Sequence, residues 1–594
     1  MRRCSRIARA LTAAGCVATG AAALWCWWRG AAPAGTRPSV LEPVTATVGP
    51  LLNLTDVTSR SGFEFVYDNG RAAGHRVILE VVGGGLGTFD YDGDGRWDLF
   101  CPGGGEFGAQ DEEHPLPPSI TRPSISGLPS ALFRNLGDWK FVRVTEQAGI
   151  GQAPFYTHGC SAADFNGDGF TDLLVTGYGG LQLFQNQGDG RFIEVRRRSC
   201  LLDDSWSTSA AWGDLDGDGH LDLYVTHYVD WSFAEGHNPR CADPTHDMPD
   251  ICPPRRFNPL PDIVYFSNGD GTFRDVTTTA GMIVGPLVCG KGLGVVTGDV
   301  DLDGDLDIYV ANDTDPNFLY INQGPGLFKE VAPLHGAAYD ATGKPEGSMG
   351  VDLGDFNGDC LPDIWVTNFE QESNALYRND GRAEFRYVSL GTGIAALGGR
   401  YVGFGTALGD VDRDGDEDFV VSNGHVYNFP QIAPIKQEAL VLINNHGHFV
   451  KASFPPGGYF STPHRGRGLA MSDFDDDGDL DFAFSHNDGE PNALVSNEIA
   501  NDAGWLRVRL IGTASNRDAI GAWLVLHTSA GHQVRLVKGG GSYLSQSDLR
   551  PFWGIPAGTW IKGLTVHWPK GRVQKLDAFA ANQTLVVIES PGAD

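Results

Sequence analysis

The hydrophobic pattern of this chain repeats one unit, an acidic loop followed by short apolar strands. The run Asp-Leu-Tyr-Val-Thr at 222–226 is apolar and rich in β-branched residues, which is typical of a strand and not of the helix that follows an EF-hand loop. A second apolar strand that ends in Asn follows each loop. Its copies lie at 132–135, 183–186, 265–268, 319–322, 376–379, 441–444 and 494–497.

The acidic loop places oxygen-bearing side chains at positions 1, 3, 5 and 9. In its clearest copy these are Asp214, Asp216, Asp218 and Asp222, with Gly219 at position 6. Alternate carboxylates on a tightly turning loop converge on one point, and a hard cation with six to eight oxygen ligands, Ca²⁺ above all, suits that arrangement. If Asp-Gly merely marked hairpin turns, the acids at all four positions would be unexplained.

Seven such loops predict up to seven calcium ions. The predicted ligands, in loop order, are Asp90, Asp92, Asp94 and Asp98; Asp164, Asn166, Asp168 and Asp172; Asp214, Asp216, Asp218 and Asp222; Asp299, Asp301, Asp303 and Asp307; Asp355, Asn357, Asp359 and Asp363; Asp410, Asp412, Asp414 and Asp418; and Asp473, Asp475, Asp477 and Asp481. Loop 5 has Cys360 where a sharp turn favours Gly. We therefore expect loop 5 to bind calcium most weakly.

The spacing of the loops predicts the fold. Their first positions recur every 50 to 85 residues, and a propeller blade of four short strands needs about 40–50 residues. We predict an all-β protein in which a seven-bladed β-propeller with calcium loops at 51–500 precedes a small β-sandwich-like domain at 501–594. The strand near 54–58 resembles 273–277, the fourth strand of a blade, so we expect it to complete the last blade and close the ring.

Two insertions interrupt the predicted ring. Residues 103–130 are rich in Pro, and residues 230–262 hold Cys241 and Cys252 among further prolines. Two close cysteines in an irregular loop of an exported protein usually pair, so we predict a Cys241–Cys252 disulfide. The pairing of the remaining propeller cysteines stays open; these are Cys101, Cys160, Cys200, Cys289 and Cys360.

The N-terminus predicts export. Four arginines in the first nine residues precede an apolar run from 10 to 28, and two alternatives remain open for residues 1–34. They form either a cleaved signal peptide or an uncleaved membrane anchor, because about 19 apolar residues can span a bilayer. Residues 35–50 are a linker rich in Ala, Pro and Thr. Both alternatives place the body outside the cytoplasm: secreted, periplasmic or membrane-anchored.

The charge excludes one class of partner. The chain has 74 acidic and 44 basic residues and a net charge of −30, which argues against nucleic acid as a partner. The predicted metal loops alone contain 26 of the acidic residues. Much of the acidity is therefore explained by metal binding.

The acidic loops and the C-terminal part of the chain resemble a known family. The loops look like the FG-GAP/VCBS repeats of integrin α-chain propellers, and the C-terminal part looks like the ASPIC/UnbV domain, by its segments 516–522, 539–547 and 568–571. The combination resembles the cartilage acidic protein 1-like family. One departure stands out, since Phe552-Trp553-Gly554-Ile555-Pro556 lies where the family usually has His-Phe-Gly-Leu-Gly. Any role of that histidine is therefore missing from this chain.

Two classes of function remain open. The first is an extracytoplasmic binding or adhesion module, with a protein or glycan partner at the propeller face. The second is an enzyme, or an accessory protein of a biosynthetic pathway, with its site at the propeller funnel; the resemblance to UnbV supports this alternative. The sequence contains no Gly-x-Ser-x-Gly, His-Glu-x-x-His or phosphate-loop motif. We therefore predict no catalytic or organic-cofactor residues and favour the binding module.

Overall fold

The computed structural model describes residues 52–108, 123–243, 245, 247–282 and 289–590. Within them, seven antiparallel sheets each contain four propeller strands in ladder order, which agrees with the predicted propeller, and the sheet of blade 4 has a fifth strand from the C-terminal part. The predicted signal peptide or anchor at 1–34 and the linker at 35–50 lie outside the described residues. In blade order, the strands are Gly87–Phe89, Asp98–Cys101, Ala131–Asn135 and Phe141–Arg143; Tyr156–Ala163, Asp172–Tyr178, Gly180–Asn186 and Phe192–Glu194; Ser207–Gly213, Asp222–His227, Ile263–Ser267 and Phe273–Asp275; Gly292–Gly298, Asp307–Asn312, Phe318–Asn322 and Phe328–Glu330; Val351–Gly354, Asp363–Val366, Ala375–Asn379 and Phe385–Tyr387; Gly403–Gly409, Asp418–Asn423, Leu440–Asn445 and His448–Lys451; and Gly466–Ser472, Asp481–His486, Ala493–Asn497 and Leu54–Asp56.

The sheets form a closed ring. The first strand of each blade contacts the first strands of both neighbours, and the first strand of blade 7 contacts that of blade 1. The N-terminal strand Leu54–Asp56 pairs with Ala493–Asn497, which confirms that it completes the last blade. Apolar side chains fill the spaces between blades. Between blades 5 and 6, for example, Trp365 stacks on Phe419 with the ring centroids 3.9 Å apart.

Short elements connect the strands. Four single-turn α-helices and four 3₁₀ turns lie in the described part of the chain; they are Thr58–Ser61, Leu79–Val82, Thr145–Ala148 and Ala332–His335, and Arg71–Ala73, Pro254–Arg256, Ile394–Leu397 and Tyr459–Ser461.

All seven acidic loops lie at one end of the sheets. Each loop connects the first strand of its blade to the second, so the connections from second to third strand lie at the opposite end. Both predicted insertions are connections of that second kind. The insertion of blade 1 contains the paired strands Gly105–Phe107 and Ile125–Gly127. The insertion of blade 3 contains the paired strands Cys241–Ala242 and Pro249–Asp250.

The predicted Cys241–Cys252 disulfide is present in the blade 3 insertion. The surrounding segment crosses to a connection of blade 6, where Asp250 accepts hydrogen bonds from the Asn428 backbone and side chain. The side chain of Gln431 donates to Asp243 from the same connection. We call the surface formed by 241–243, 247–252 and 428–433 the insertion surface.

The C-terminal part consists of two sheets that share a core, as a small β-sandwich requires. One sheet has the order Phe552–Ile555, Gly504–Ile511, Gln583–Ile588; the other has the order His532–Leu536, Trp523–Thr528, Ile561–His567, Val573–Asp577. Side chains of both sheets, Leu506 and Trp553 from one and Leu524 and Leu564 from the other, are fully buried in one cluster. The sequence pattern did not reveal the strands Phe552–Ile555 and Val573–Asp577.

Residues 539–547 of the C-terminal part fill the centre of the propeller; we call them the plug. Gly539–Gly540 pairs with the first strand of blade 4. Ser542 exchanges backbone hydrogen bonds with Val351 of blade 5. Its hydroxyl accepts from Thr406 of blade 6 and donates to Leu469 of blade 7.

The second half of the plug contacts the other three blades. Leu544 accepts a backbone hydrogen bond from Cys160 of blade 2, and its own N–H donates to Ser209 of blade 3. Gln546 exchanges backbone hydrogen bonds with residues of blade 1. Glycine is required where the backbones meet, since a Cβ on Gly539 would lie 1.8 Å from the Trp212 carbonyl oxygen. The C-terminal domain is therefore anchored through the channel to all seven blades.

Candidate metal sites in the seven acidic loops

The acidic loops share one backbone conformation. The residues at positions 4 and 6 of every loop have positive φ. Position 6 is Gly with φ between 88° and 103° in six loops and Cys360 with φ 71° in loop 5. Position 4 is Gly in loops 1, 2, 3 and 5, but Leu302, Arg413 and Asp476 in loops 4, 6 and 7, with φ of 60°, 60° and 66°. The requirement at position 4 was not recognised from the sequence.

Backbone N–H groups orient the acids at positions 1 and 5. In every loop the carboxylate at position 1 accepts the N–H of position 6, at 2.7–3.0 Å. The carboxylate at position 5 accepts the N–H of position 7, at 2.8–3.0 Å. In loops 1, 3 and 6 the second oxygen of the position 1 acid has no donor. In loops 2, 4, 5 and 7 it accepts the N–H of position 5.

The acid at position 9 joins the loop to its blade. In loop 4, one oxygen of Asp307 accepts the N–H of Val300 at position 2, and the other accepts the N–H of Asn322 at the end of the third strand. The same pair of bonds occurs in all seven loops. The residue that donates from the third strand is Asn in six blades. In blade 3 it is Ser267 and not Asn268, so the sequence alignment of that copy was one residue out of register.

The acidic groups converge as the spacing predicts. In loops 1, 3 and 4, carboxylate oxygens from positions 1, 3 and 5 lie within 4.8 Å of one another, and in loop 6 the same holds for Asp410, Asp412 and Asp418. In loops 2 and 5 the acids at position 3 are replaced by Asn166 and Asn357, whose amide oxygens are the available ligands.

Burial raises the pKa values of carboxyl groups in these loops. Removal from water, the largest contribution, raises the pKa of Asp172 to about 9 and of Asp222 to about 8, although backbone hydrogen bonds oppose the rise. At position 1, burial together with neighbouring carboxylates raises the pKa of Asp164 and Asp299 to about 7. A bound cation would favour the charged forms that burial disfavours.

The loops also contain carboxylate oxygens that the protein leaves without hydrogen bonds. Among the described residues, Asp90 Oδ1, Asp214 Oδ1, Asp410 Oδ1, Asp412 Oδ2 and Asp475 Oδ1 are buried and have no donor. An unsatisfied buried acceptor costs about 1–3 kcal/mol, and more when it is charged. Hard oxygen ligands, high negative charge and free lone pairs are the properties that Ca²⁺ requires. The residues present therefore fit the ion that the sequence predicts.

Among the described residues, hydrogen bonds or ion pairs join the C-terminal domain to five of the seven loops. Arg507 donates to Asp473 of loop 7 at 2.9 Å, and the Gly554 N–H donates to Asp410 of loop 6 at 2.8 Å. The Arg509 guanidinium lies 4.0 Å from Asp90 of loop 1. The remaining contacts are hydrogen bonds from the Asp164 N–H of loop 2 to Asp518 and from Lys570 to the Asp218 carbonyl of loop 3. No local sequence signal indicated these contacts, because the partners are more than thirty residues apart.

A ring of acidic loops beneath a docked β-domain defines a class of protein, the FG-GAP propellers. FG-GAP-like repeat matches cover residues 90–175, 164–225, 258–310, 299–366 and 355–421, and an ASPIC and UnbV match covers 512–594. The chain belongs to the FG-GAP-like repeat family and has a C-terminal ASPIC and UnbV domain.

The chain is also similar in sequence to curated relatives. The chain is 26% identical to cartilage acidic protein 1 of Mus musculus over 475 residues, which cover 70% of this chain and 71% of the relative. It is 24% identical to cartilage acidic protein 1 of Homo sapiens, with 70% and 69% covered. Among solved structures, the Dos1 propeller aligns with a TM-score of 0.35 and 9% identity, covering 70% of this chain and 93% of that one.

Proposed function

We propose that this protein is a calcium-stabilised binding or adhesion module that acts outside the cytoplasm on a protein or glycan partner. The observation that carries the proposal is the ring of seven acidic loops, four of which contain buried carboxylate oxygens without a hydrogen-bond donor among the described residues. Calcium would neutralise these groups and hold the loops in one conformation. Its flexible coordination by six to eight oxygens suits loops of unequal composition better than the strict octahedron of Mg²⁺.

The disulfide supports the proposed location. Disulfides such as Cys241–Cys252 persist in oxidising compartments outside the cytoplasm. In the part of the chain that the structure describes, none of the helices has the length and apolar composition needed to cross a bilayer.

We place the partner site on the insertion surface. The C-terminal domain covers part of the loop end of the propeller through its contacts with the loops, so we place the partner at the opposite end. There the exposed fractions of Met248 and Ile432 are 42% and 52%. Exposed apolar side chains beside polar groups are typical of protein interaction sites.

The residues that fill the channel support the alternative function, an enzyme with its site at the propeller funnel, less well than a binding module. The plug fills the region where the funnel site of the alternative function would lie. His158, next to the plug, is fully buried and contacts Tyr67, the Gly83 carbonyl and the Trp206 indole. Burial lowers its pKa to about 4, which suits a neutral structural imidazole rather than an accessible general base.

Chelation tests the role of calcium. Without the ion, each close pair of loop carboxylates repels by about 4 kcal/mol at an effective dielectric near 20. We expect excess EGTA to lower the melting temperature sharply and added Ca²⁺ to restore it, with Mg²⁺ at equal concentration as the control. A melt that is identical with and without EGTA would refute calcium stabilisation.

A binding screen tests the partner proposal. The calcium-loaded protein from residue 52 onward would be applied to a glycan array and used to capture extracellular proteins, and each ligand found would be titrated. We expect the double variant Met248→Asp, Ile432→Asp to lose binding. The control Val586→Asp lies on the C-terminal domain, where Val586 is 54% exposed, and should bind normally. Equal binding by both variants would exclude the insertion surface.

A further inference from the structure

We propose that the C-terminal domain forms part of metal sites 6 and 7, so that calcium binding there and docking of the domain stabilise each other. The inference rests on the proposed calcium function and adds to it a coupling between the loops and the plug. Gly554 and Arg507 carry the argument, because each holds the position 1 carboxylate of one loop.

In loop 6, the C-terminal domain fixes which oxygen faces the cation. Asp410 is 1% exposed. Its Oδ2 accepts the N–H of Gly415 at 3.0 Å, within the loop, and the N–H of Gly554 at 2.8 Å, from the C-terminal domain. Its Oδ1 is buried without a donor. Two donors on one oxygen leave the other as the metal ligand.

The approach of the domain to loop 6 leaves no room for a side chain. A Cβ on Gly554 would lie 2.4 Å from Asp410 Oδ2 and 2.3 Å from the Arg413 Cα. This explains why a glycine lies at the centre of segment 552–556, the segment whose sequence differs from the family pattern. Gly554 acts as a positioning residue through its backbone.

In loop 7, a buried arginine takes the equivalent place. Asp473 Oδ2 accepts the N–H of Gly478 and Nη1 of Arg507, both at 2.9 Å. Arg507 also forms an ion pair with Asp476, and its side chain is only 4% exposed. Loop 7 still offers Asp475 Oδ1, which is buried without a donor. Asp473 Oδ1 accepts the Asp477 N–H at 3.1 Å within the loop. The loop itself thus orients the position 1 acid, and the domain adds Arg507 as a further donor to it.

Loop 4 provides an internal comparison. The two oxygens of Asp299 accept N–H groups of Asp303 and Gly304, which both belong to the same loop. The propeller by itself thus orients the position 1 acid of loop 4. The C-terminal domain packs Gly521 against Leu306 of this loop, but the donors to Asp299 come from the loop. Calcium at loop 4 should therefore depend less on the domain than calcium at loop 6.

Shared residues imply reciprocal coupling. If the docked domain raises the calcium affinity of loops 6 and 7, calcium must raise the stability of docking by the same factor, and such factors are about 5- to 150-fold. The plug reports docking, because it lies between strand His532–Leu536 and strand Phe552–Ile555 in the same domain. Undocking would withdraw it from the channel and expose its amides.

Hydrogen exchange at 539–547 in the full chain tests the coupling. We expect these amides to exchange at least about fivefold faster in EGTA than in Ca²⁺. In Ca²⁺, Asp410→Asn should reproduce the acceleration, whereas the loop 4 variant Asp299→Asn should not. Equal exchange in EGTA and Ca²⁺, or equal effects of the two variants, would overturn the proposal.

A calcium titration tests the reverse direction. Gly554→Ala should weaken at least one calcium site by about fivefold or more, whereas Lys562→Met, which removes an exposed lysine of the same domain, should leave every site unchanged. Identical calcium titrations of Gly554→Ala and Lys562→Met would also overturn the coupling. This result can be obtained even if the Asp410→Asn variant does not fold. If the wild-type protein binds no calcium at all, the proposed function itself fails; if it binds calcium while the plug exchange stays constant, only this inference fails.

Discussion

At the scale of single residues, the loops depend on two positions with positive φ. The sequence predicts weak calcium binding at loop 5 from the neutral Asn357 at position 3 and, above all, from strain at Cys360. The structure confirms the left-handed conformation of Cys360, but Leu302, Arg413 and Asp476 adopt it in loops 4, 6 and 7. Strain therefore does not distinguish loop 5. Loop 5 still combines a non-glycine residue in this conformation with the neutral Asn357 at position 3, whereas loop 2 has Asn166 at position 3 but Gly at positions 4 and 6. We therefore still expect loop 5 to bind calcium weakly.

Glycine substitutions measure this strain. A non-glycine residue in the left-handed region costs about 1–2 kcal/mol, and every 1.4 kcal/mol is about tenfold in affinity. We expect Cys360→Gly and Leu302→Gly each to raise calcium affinity at their own loop by up to about tenfold in a titration of metal-free protein. The variants Asp355→Ala and Asp214→Ala identify the calcium sites of loops 5 and 3 in this titration. Asp214→Ala should lose the tighter of the two sites. An unchanged affinity in both glycine variants would show that the loops hold these residues without strain.

At the scale of elements, an asparagine joins neighbouring blades. The Asn379 side chain donates to the Pro362 carbonyl beside its own loop and to the Val300 carbonyl of the preceding loop. Asn135, Asn186, Asn322 and Asn444 make the equivalent pair of bonds. In these five blades the third strand therefore connects two metal loops, which explains why an apolar strand that ends in Asn follows the loops.

Removing one such asparagine should destabilise the ring. Asn379→Ala leaves two buried carbonyl groups without their donor, at about 1–3 kcal/mol each. We expect a clear loss of unfolding free energy in guanidinium with calcium present. Asn268→Ala, which changes an exposed asparagine at the equivalent end of blade 3, should stay within about 0.5 kcal/mol of the wild type. Equal stabilities would mean that these bonds contribute little.

The N-terminal strand closes the ring at the same scale. A protein that begins at residue 67 lacks strand Leu54–Asp56 and exposes the edge of Ala493–Asn497. Open edges of this kind pair with other chains. Light scattering after size exclusion should therefore show aggregates, whereas a protein that begins at residue 52 should be free of them. A truncated protein that behaves like the longer one, with the same melt, would contradict the role of closure.

At the scale of the whole molecule, the plug makes the propeller and the C-terminal domain one structure. Tyr543 is fully buried in the channel. Its hydroxyl donates to the Val82 carbonyl at 2.9 Å, and its ring packs edge-to-face on Phe404 with centroids 4.9 Å apart. The propeller thus loses interior contacts if the domain leaves.

Truncation of Tyr543 should therefore destabilise both parts together. Deleting a buried aromatic side chain costs about 3–5 kcal/mol. We expect Tyr543→Ala to lower a single calorimetric transition, Tyr543→Phe to lower it less, and Trp560→Ala, at a residue 64% exposed on the C-terminal domain, to leave it unchanged. Two separate transitions in the wild type, only one of them sensitive to Tyr543, would show that the two parts unfold independently.

The sequence alone determined the repeating features of this protein. Acids at fixed loop positions, apolar strands and the N-terminal copy of a fourth strand predicted the seven sheets and the closure of the ring, because short-range patterns fix local geometry. The pairing of Cys241 with Cys252 followed from their proximity in the chain. Only the tertiary structure decided that 539–547 fills the channel, that Gly554 and Arg507 hold loop acids, and that blade 3 uses Ser267. These features depend on contacts between residues far apart in sequence, or on register within a sheet, and neither leaves a local pattern.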